Sequence, residues 1–494
     1  MKSNIKLYAA LLTAATITFG CEYDFPEQVV EQPSAGTADF SKMVSVGNSL
    51  TAGFMDGALY DRSQGYAFPV ILAGQMTQAG GGEFNVPDIN SVNGFFGLGP
   101  NNTPLGRLIL TINPQTGAAA PAPIGPGDFP TPFTGDKTAL NNFGVPGITL
   151  GTALIPQTGG PNDPGNPAYN PLYARFASNP GTSTVIGDAA AALANGGTFF
   201  TFWLGNNDVL GYAIGGASNP AILTSDGDFS TRLQGALGAL LQAAPNAKGA
   251  VANIPDLNVL PHFTLVPFNA LPLTQEQATQ ANQGYAQYNG GLAQARMAGL
   301  ITSEEENYRR INFSAGQNAF VMSDESLTDL SGLGLPSIRQ SKSNDRAVLA
   351  LAQALGQPVG GNPNLIRGIS SPVEDQFVLI PDEQDEIQGK IDTFNEIIAN
   401  FVATQPDRLV LIDVNALLDR VLAGQVSSGG VALTASIVPP SGGFSLDGIH
   451  PNARAHAFVA NEFIDRINAK WNASIPRVNP NAYPGNDLPV TPGN

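Results

Sequence analysis

Apolar residues along this chain fall into two periods that take turns. Met43–Val46 is a short β-type run, and Thr198–Leu204 (TFFTFWL) is a continuous aromatic and β-branched run closed by Gly197 and Gly205. Lys248–Ile254 and Arg408–Val414 are built the same way. None of the four alternates apolar with polar, as a strand with one wet face would. Between them the spacing becomes helical. Leu233, Leu237, Leu240 and Leu241 make one stripe within Phe229–Ala244, and Ile387, Ile391, Phe394, Ile398 and Phe401 recur at steps of four and three. Asn415–Leu422 reads as the helix after Arg408–Val414. Pro451 and Asn452 open a last helix, with Phe458, Val459, Phe463, Ile464 and Ile467 on its buried side. Residues 141–155, with Asn142, Gly144, Pro146 and Gly147, read as turn-and-helix chemistry. Strands without a wet face, alternating with helices, predict an α/β fold whose mostly parallel sheet is covered on both sides. Ligands of such sheets bind beyond the carboxyl ends of the strands.

Composition adds long loops to this picture. Charged residues are only 13% of the 494, while Gly (56) and Pro (39) abound. We expect a single domain over 39–471 with insertions at about 60–140 and 265–405, followed by a Pro/Asn-rich tail at 472–494. The stretch 86–140, including Thr116–Gly127, is too long and too poor in pattern for a connector, and reads as an insertion folded over the core. A net charge of −17 repels phosphate backbones and argues against a nucleic-acid partner.

The single cysteine excludes an intramolecular disulfide, and three histidines leave no Cys/His metal framework. Cys21 directly follows Lys2, Lys6, the apolar run Leu7–Phe19 and Gly20. This segment resembles a bacterial lipoprotein signal, with Thr18 where such signals usually carry leucine. The resemblance implies cleavage after residue 20, lipidation of Cys21, and an exported envelope lipoprotein of the outer membrane. Acidic residues 22–38 then read as a tether. No later stretch matches a membrane span of about 20 apolar residues, so the mature chain is expected to be anchored to a membrane and not threaded through it.

Four strand-to-loop junctions carry polar residues. Gly47-Asn48-Ser49-Leu50 follows a strand and puts a serine at the start of a helix, where its hydroxyl and backbone N–H face the open sheet edge. Asn142-Phe-Gly-Val-Pro-Gly147 lets a backbone N–H approach a ligand oxygen closely. Gly205-Asn206-Asn207-Asp208 offers an uncharged amide donor. Asp447-Gly-Ile-His450 allows the carboxylate to reach imidazole Nδ1 while Nε2 stays free to take a serine proton. Each also has a plain structural reading, as a serine N-cap, a turn, an Asn/Asp turn, or a lone structural histidine.

Taken in order, the four blocks resemble the Ser, Gly, Asn and His blocks of the SGNH hydrolases, often called GDSL lipases or esterases. Asn48 stands where that name has aspartate, and Ala252–Leu257 with Pro261 is similar to a segment of larger members. The resemblance implies a three-layer α/β/α, flavodoxin-like fold and a serine esterase or lipase acting on a small-molecule or lipid ester. Ser49 would be nucleophile, with Asp447 and His450 as charge partners. The oxyanion hole would be formed by Ser49, Gly147 and Asn207, and no metal or cofactor is needed. Two further readings are a carbohydrate O-acetyl esterase and a lipid-anchored binding protein without turnover. Phe95–Leu98 and Phe129–Phe133 either wall an acyl groove or pack on the core. His456 reads as a helix-surface or packing residue and His262 as a loop residue. Trp203 reads as core, Ser303–Asn307 as a solvated acidic face, and Asp382–Glu386 as the acidic first turn of the helix that follows.

Overall fold

Five strands pair side by side, all parallel: β1 (Met43–Gly47), β2 (Asn142–Gly144), β3 (Phe199–Trp203), β4 (Lys248–Ala252) and β5 (Leu409–Ile412). Their order across the sheet is 2-1-3-4-5. β1 is therefore flanked by β2 (Val46 opposite Phe143) and by β3 (Val46 opposite Phe202). The connections leave β1 in opposite directions, which opens a crevice at the carboxyl ends of β1 and β3. The computed structural model describes residues 32–95, 97–112 and 119–490, so the leader, Cys21 and most of the acidic tether lie outside the described residues.

Side chains alternate between two cores, as strand geometry requires. From β3, Phe200 and Phe202 enter one core while Phe199 and Trp203 enter the other. Helices cover both faces: α1 (Phe68–Met76), α2 (Val185–Ala194), α3 (Asn207–Ile214), α4 (Asp226–Ala243), α6 (Pro381–Ala403), α7 (Val414–Leu422) and α8 (Ala453–Trp471), while α5 (Gln275–Met297) belongs to the second insertion. The first core takes the stripes of α2, α4 and α6, and Phe229 stacks on Phe394 at 3.8 Å. The second takes α1, α7 and α8, with Phe68 stacked on Phe463 at 4.7 Å. No described helix is long and apolar enough to cross a membrane.

Three expectations change. The segment at 141–155 starts as an edge strand and not as a turn, because Ser45 N bonds Asn141 O and the Asn142 amide bonds Thr51 O. The first insertion begins beyond α1, which belongs to the second core, and the second insertion ends before α6, which belongs to the first. Residues beyond 472 lie back on the domain: Ile475 and Val478 are buried, and Val490 exchanges backbone hydrogen bonds with the Leu108–Ile112 strand. At the same end, Thr37 N donates to Trp471 O, so the chain enters the domain beside the end of α8.

The second insertion has its own core, from Leu273, Leu292, Phe320, Met322 and Ile338, closed by short antiparallel ladders. Buried cations organise it. Arg339, fully buried, is clasped by Asp324 and Asp345, and buried Arg309 donates to Thr328 O and Pro336 O.

Candidate active site

Ser49 begins the short helix Ser49–Ala52 immediately after β1. Asn48 caps that helix through Oδ1, which accepts from Leu50 N at 3.0 Å. This gives Asn48 a local task independent of charge. Ser49 is 6% exposed, and its Oγ lies 2.8 Å from His450 Nε2. His450 Nδ1 lies 2.8 Å from Asp447 Oδ2. A carboxylate only accepts, so Nδ1 carries the proton and Nε2 turns its lone pair to the serine hydroxyl.

Asp447 is held from several sides. Oδ2 also accepts from Gly57 N, and Oδ1 accepts from Ser445 Oγ and the backbone N–H groups of Ile449 and His450. Burial pushes its carboxyl up, but the nearby His450 and these donors outweigh it and hold it far below the usual carboxylate range. Gly448 makes the turn possible. Its φ is +71°, and a Cβ there would come 2.7 Å from His262 N.

Asn207, first residue of α3, donates to Ile148 O at 2.8 Å and lines the same cavity as Ser49 and His450. Its Nδ2 has a second hydrogen to offer. Gly147 follows β2 with φ +79° and is exposed. Neither the Ser49 nor the Gly147 backbone N–H has a hydrogen-bond partner among the described residues. The structure thus joins Ser49, His450 and Asp447 by hydrogen bonds and places Asn207 beside them. No hydrogen bond links Gly147 to the four among the described residues.

Two acids that the sequence left without a role brace this arrangement. Asp208 accepts from Leu150 N and Thr224 Oγ1, tying α3 to the loop after Gly147. Burial, opposed by those bonds, pushes it up to about 6. Asp56 accepts from Leu446 N and the Tyr60 hydroxyl, while its own N–H donates to Ser445 Oγ. Burial raises its carboxyl as well. Asp208 had a faint signal in the G-N-N-D junction. Asp56 had none, since the partners that tie it to the Asp447 turn, Ser445 and Leu446, lie some 390 positions away.

The other two histidines are scaffolding. His456 is fully buried, not a surface residue. Its Nδ1 accepts from Phe68 N, and burial depresses it to about 3. His262 N donates to Gly448 O behind the Asp447 turn.

A cavity of about 110 Å³ adjoins Ser49 and His450. Its walls include Trp203 from β3, Leu417 and Val421 from α7, Phe458 from α8, and Leu257 and Phe444 from loops. The Phe-rich segments expected as a possible wall are elsewhere: Phe95 meets Phe129, which is exposed, and Phe133 packs on the first core. Trp203 is both core and wall.

The acidic stretch 303–307 is not wholly solvated, whereas Asp382 and Glu383 lie in the first turn of α6 as expected. Glu306 is buried between Arg296 and Arg310, and Glu383 is buried with its carboxylate accepting from Ile380 N. Ligand atoms of Glu325, Asp375 and Glu383 lie within 4.8 Å of one another. Burial first, then the Glu325 charge, pushes Asp375 up to about 6; burial, with Glu325 and Asp375 adding, pushes Glu383 up to about 8.

Comparison with protein-family models, with curated proteins and with solved structures returned no match. The fold defines an α/β protein with a five-stranded parallel sheet and a Ser-His-Asp constellation at the carboxyl edge.

Proposed function

We propose that this protein is a serine ester hydrolase of the SGNH type, built on a three-layer, flavodoxin-like α/β/α fold. The observation that carries the reading is the unbroken chain Ser49 Oγ, His450 Nε2, His450 Nδ1, Asp447 Oδ2, with both steps at 2.8 Å. The strand order 2-1-3-4-5 supports the fold assignment.

In this mechanism His450 takes the hydroxyl proton as Ser49 Oγ bonds to the ester carbonyl carbon. The carbonyl oxygen becomes an oxyanion between the free N–H groups of Ser49 and Gly147 and the Asn207 amide. Asp447, kept ionised, stabilises the imidazolium. The bond to the alcohol breaks, and His450 returns the proton to the leaving oxygen. Water, deprotonated by the same imidazole, then releases the acid and restores Ser49. The apolar cavity favours an acyl chain over an acetyl group, so the substrate class is a lipid-like ester. Export and anchoring through Cys21 complete the proposal, placing the enzyme on the cell envelope.

Hydrolysis of p-nitrophenyl acetate, butyrate, octanoate and palmitate by residues 22–494 tests it. Turnover by wild type that falls at least about 10⁴-fold in Ser49→Ala is expected. Folded wild type that neither turns over these esters nor takes a fluorophosphonate on Ser49 would point to a binding protein.

A further inference from the structure

Of the three proposed oxyanion donors, the Gly147 N–H is the one carried by a turn. The segment Val145-Pro146-Gly147-Ile148 closes with Ile148 N donating to Val145 O, at 3.5 Å. Proline at its second position and a glycine with φ +79° at its third make this a type II turn. The φ of proline suits type I equally well, and the two types differ by a half-turn of the peptide between the central residues. Here that peptide joins Pro146 to Gly147. It is trans, so its C=O and N–H point in opposite directions. Whichever way the Pro146 carbonyl faces, the Gly147 N–H faces the other.

One side chain selects the orientation. Asn170 Nδ2 donates to Pro146 O at 2.7 Å. Its Oδ1 accepts from Leu172 N and Tyr173 N, so three partners fix the amide, and its own N–H donates to Thr158 O. Reversing the peptide would take the carbonyl oxygen away from Asn170 and set the Gly147 N–H against the amide, donor facing donor. The flanks of the turn are tied to the site. Val145 N donates to Gly47 O, two residues before Ser49, and Ile148 O accepts from Asn207 Nδ2 at 2.8 Å. On one side is the strand that leads into Ser49, and on the other the asparagine that lines its cavity.

We propose that Asn170 is a positioning residue of the oxyanion hole: it holds the Pro146 carbonyl and so keeps the Gly147 N–H turned to the developing oxyanion. This rests on the esterase reading of the site, with Gly147 as a donor. The carbonyl oxygen carries its charge only after attack, so the loss of this orientation lowers kcat and leaves KM in place.

The test measures hydrolysis of p-nitrophenyl octanoate by wild type, Asn170→Ser and Asn170→Asp, with kcat counted per Ser49 labelled by a fluorophosphonate. Inhibition by octyl trifluoromethyl ketone is measured beside it. Ser49 Oγ adds to that ketone and leaves a charged oxygen in the hole, with no leaving group to depart. Both variants keep an oxygen to cap the helix Pro171–Ala174. Neither holds the Pro146 carbonyl, because the serine side chain is an atom too short and a carboxylate has no hydrogen to give. The expected result is a fall in kcat of about tenfold in both variants, an equal fall in ketone affinity, and little change in KM. A merely structural role would reduce the number of labelled sites and leave kcat per site and ketone affinity unchanged, and that result overturns the proposal. So does a loss of kcat without a loss of ketone affinity. Either leaves the esterase intact. Absence of both turnover and labelling in wild type overturns the two readings together.

Discussion

The sheet body and the second insertion both bury ionic groups, but they use them differently. In the insertion, Arg339 meets Asp324 and Asp345 on either side, with side chains 0%, 1% and 2% exposed. Nothing is left over: the guanidinium holds the ladders of Val321–Ser323 and Ile338–Gln340 in place. At the sheet edge, Asp447 is bonded just as fully, but the chain it starts ends at Ser49, whose oxygen borders a cavity. Closed ionic networks hold a structure; one that ends at a cavity is available for chemistry.

The sharpest way to break this comparison is Asp447→Asn. It keeps the shape but sets an NH2 among the donors that meet Asp447 and cannot hold the proton on His450 Nδ1 in the same way, and kcat measured on folded protein is expected to fall by about 10³–10⁴. Arg339→Met should do the reverse. It leaves two carboxylates buried without their cation and should cost about 3–5 kcal/mol in urea unfolding, while kcat measured on folded protein stays close to wild type. If Arg339→Met abolished turnover without loss of stability, the division between the two regions would be wrong. Val421→Trp fills the cavity and should shift the octanoate-to-acetate preference about tenfold toward acetate, read from kcat/KM.

The smallest effect concerns the acids at the border of the insertion. Asp375 and Glu383 have folded values raised above their unfolded ones, so they contribute stability when protonated. That contribution is complete below about pH 4 and is lost as pH rises through about 6 and then about 8. Thermal scans should therefore show Tm falling between pH 5 and 8.5. Glu383→Gln, which can still accept from Ile380 N, should flatten that fall by roughly 2–4 °C. An unchanged slope would remove the cluster from the explanation.

How legible this was depended on distance along the chain. β3, β4 and β5, and the stripes of α4 and α6, were readable because each is a local apolar pattern of sufficient length. The Asp447–His450 pairing was readable because both residues share one turn, and Ser49 because it follows a strand. β2 was not, since three residues, Asn142–Gly144, carry no periodicity and become a strand only by pairing with β1. The membership of α1 in the second core was equally hidden, because Phe68 finds Phe463 and His456 nearly 400 positions away. The place of Glu383 in a helix's first turn was readable, but its burial was not, since sequence gives the turn and not the neighbours packed over it. Of the two fates left open for the Phe-rich segments, Phe133 took packing on the core, and the cavity wall is instead made of scattered Leu, Val, Phe and Trp residues brought together by folding.

The entry of the chain beside Trp471 has a mechanical consequence. α8 starts next to His450 and runs 19 residues to Trp471, about 28 Å away. Trp471 there meets Phe199 at the first residue of β3. The root of the preceding segment and the mouth of the cavity thus occupy opposite poles of the sheet. A force applied at Thr37 would load the Trp471 end of α8, a helix length away from Ser49.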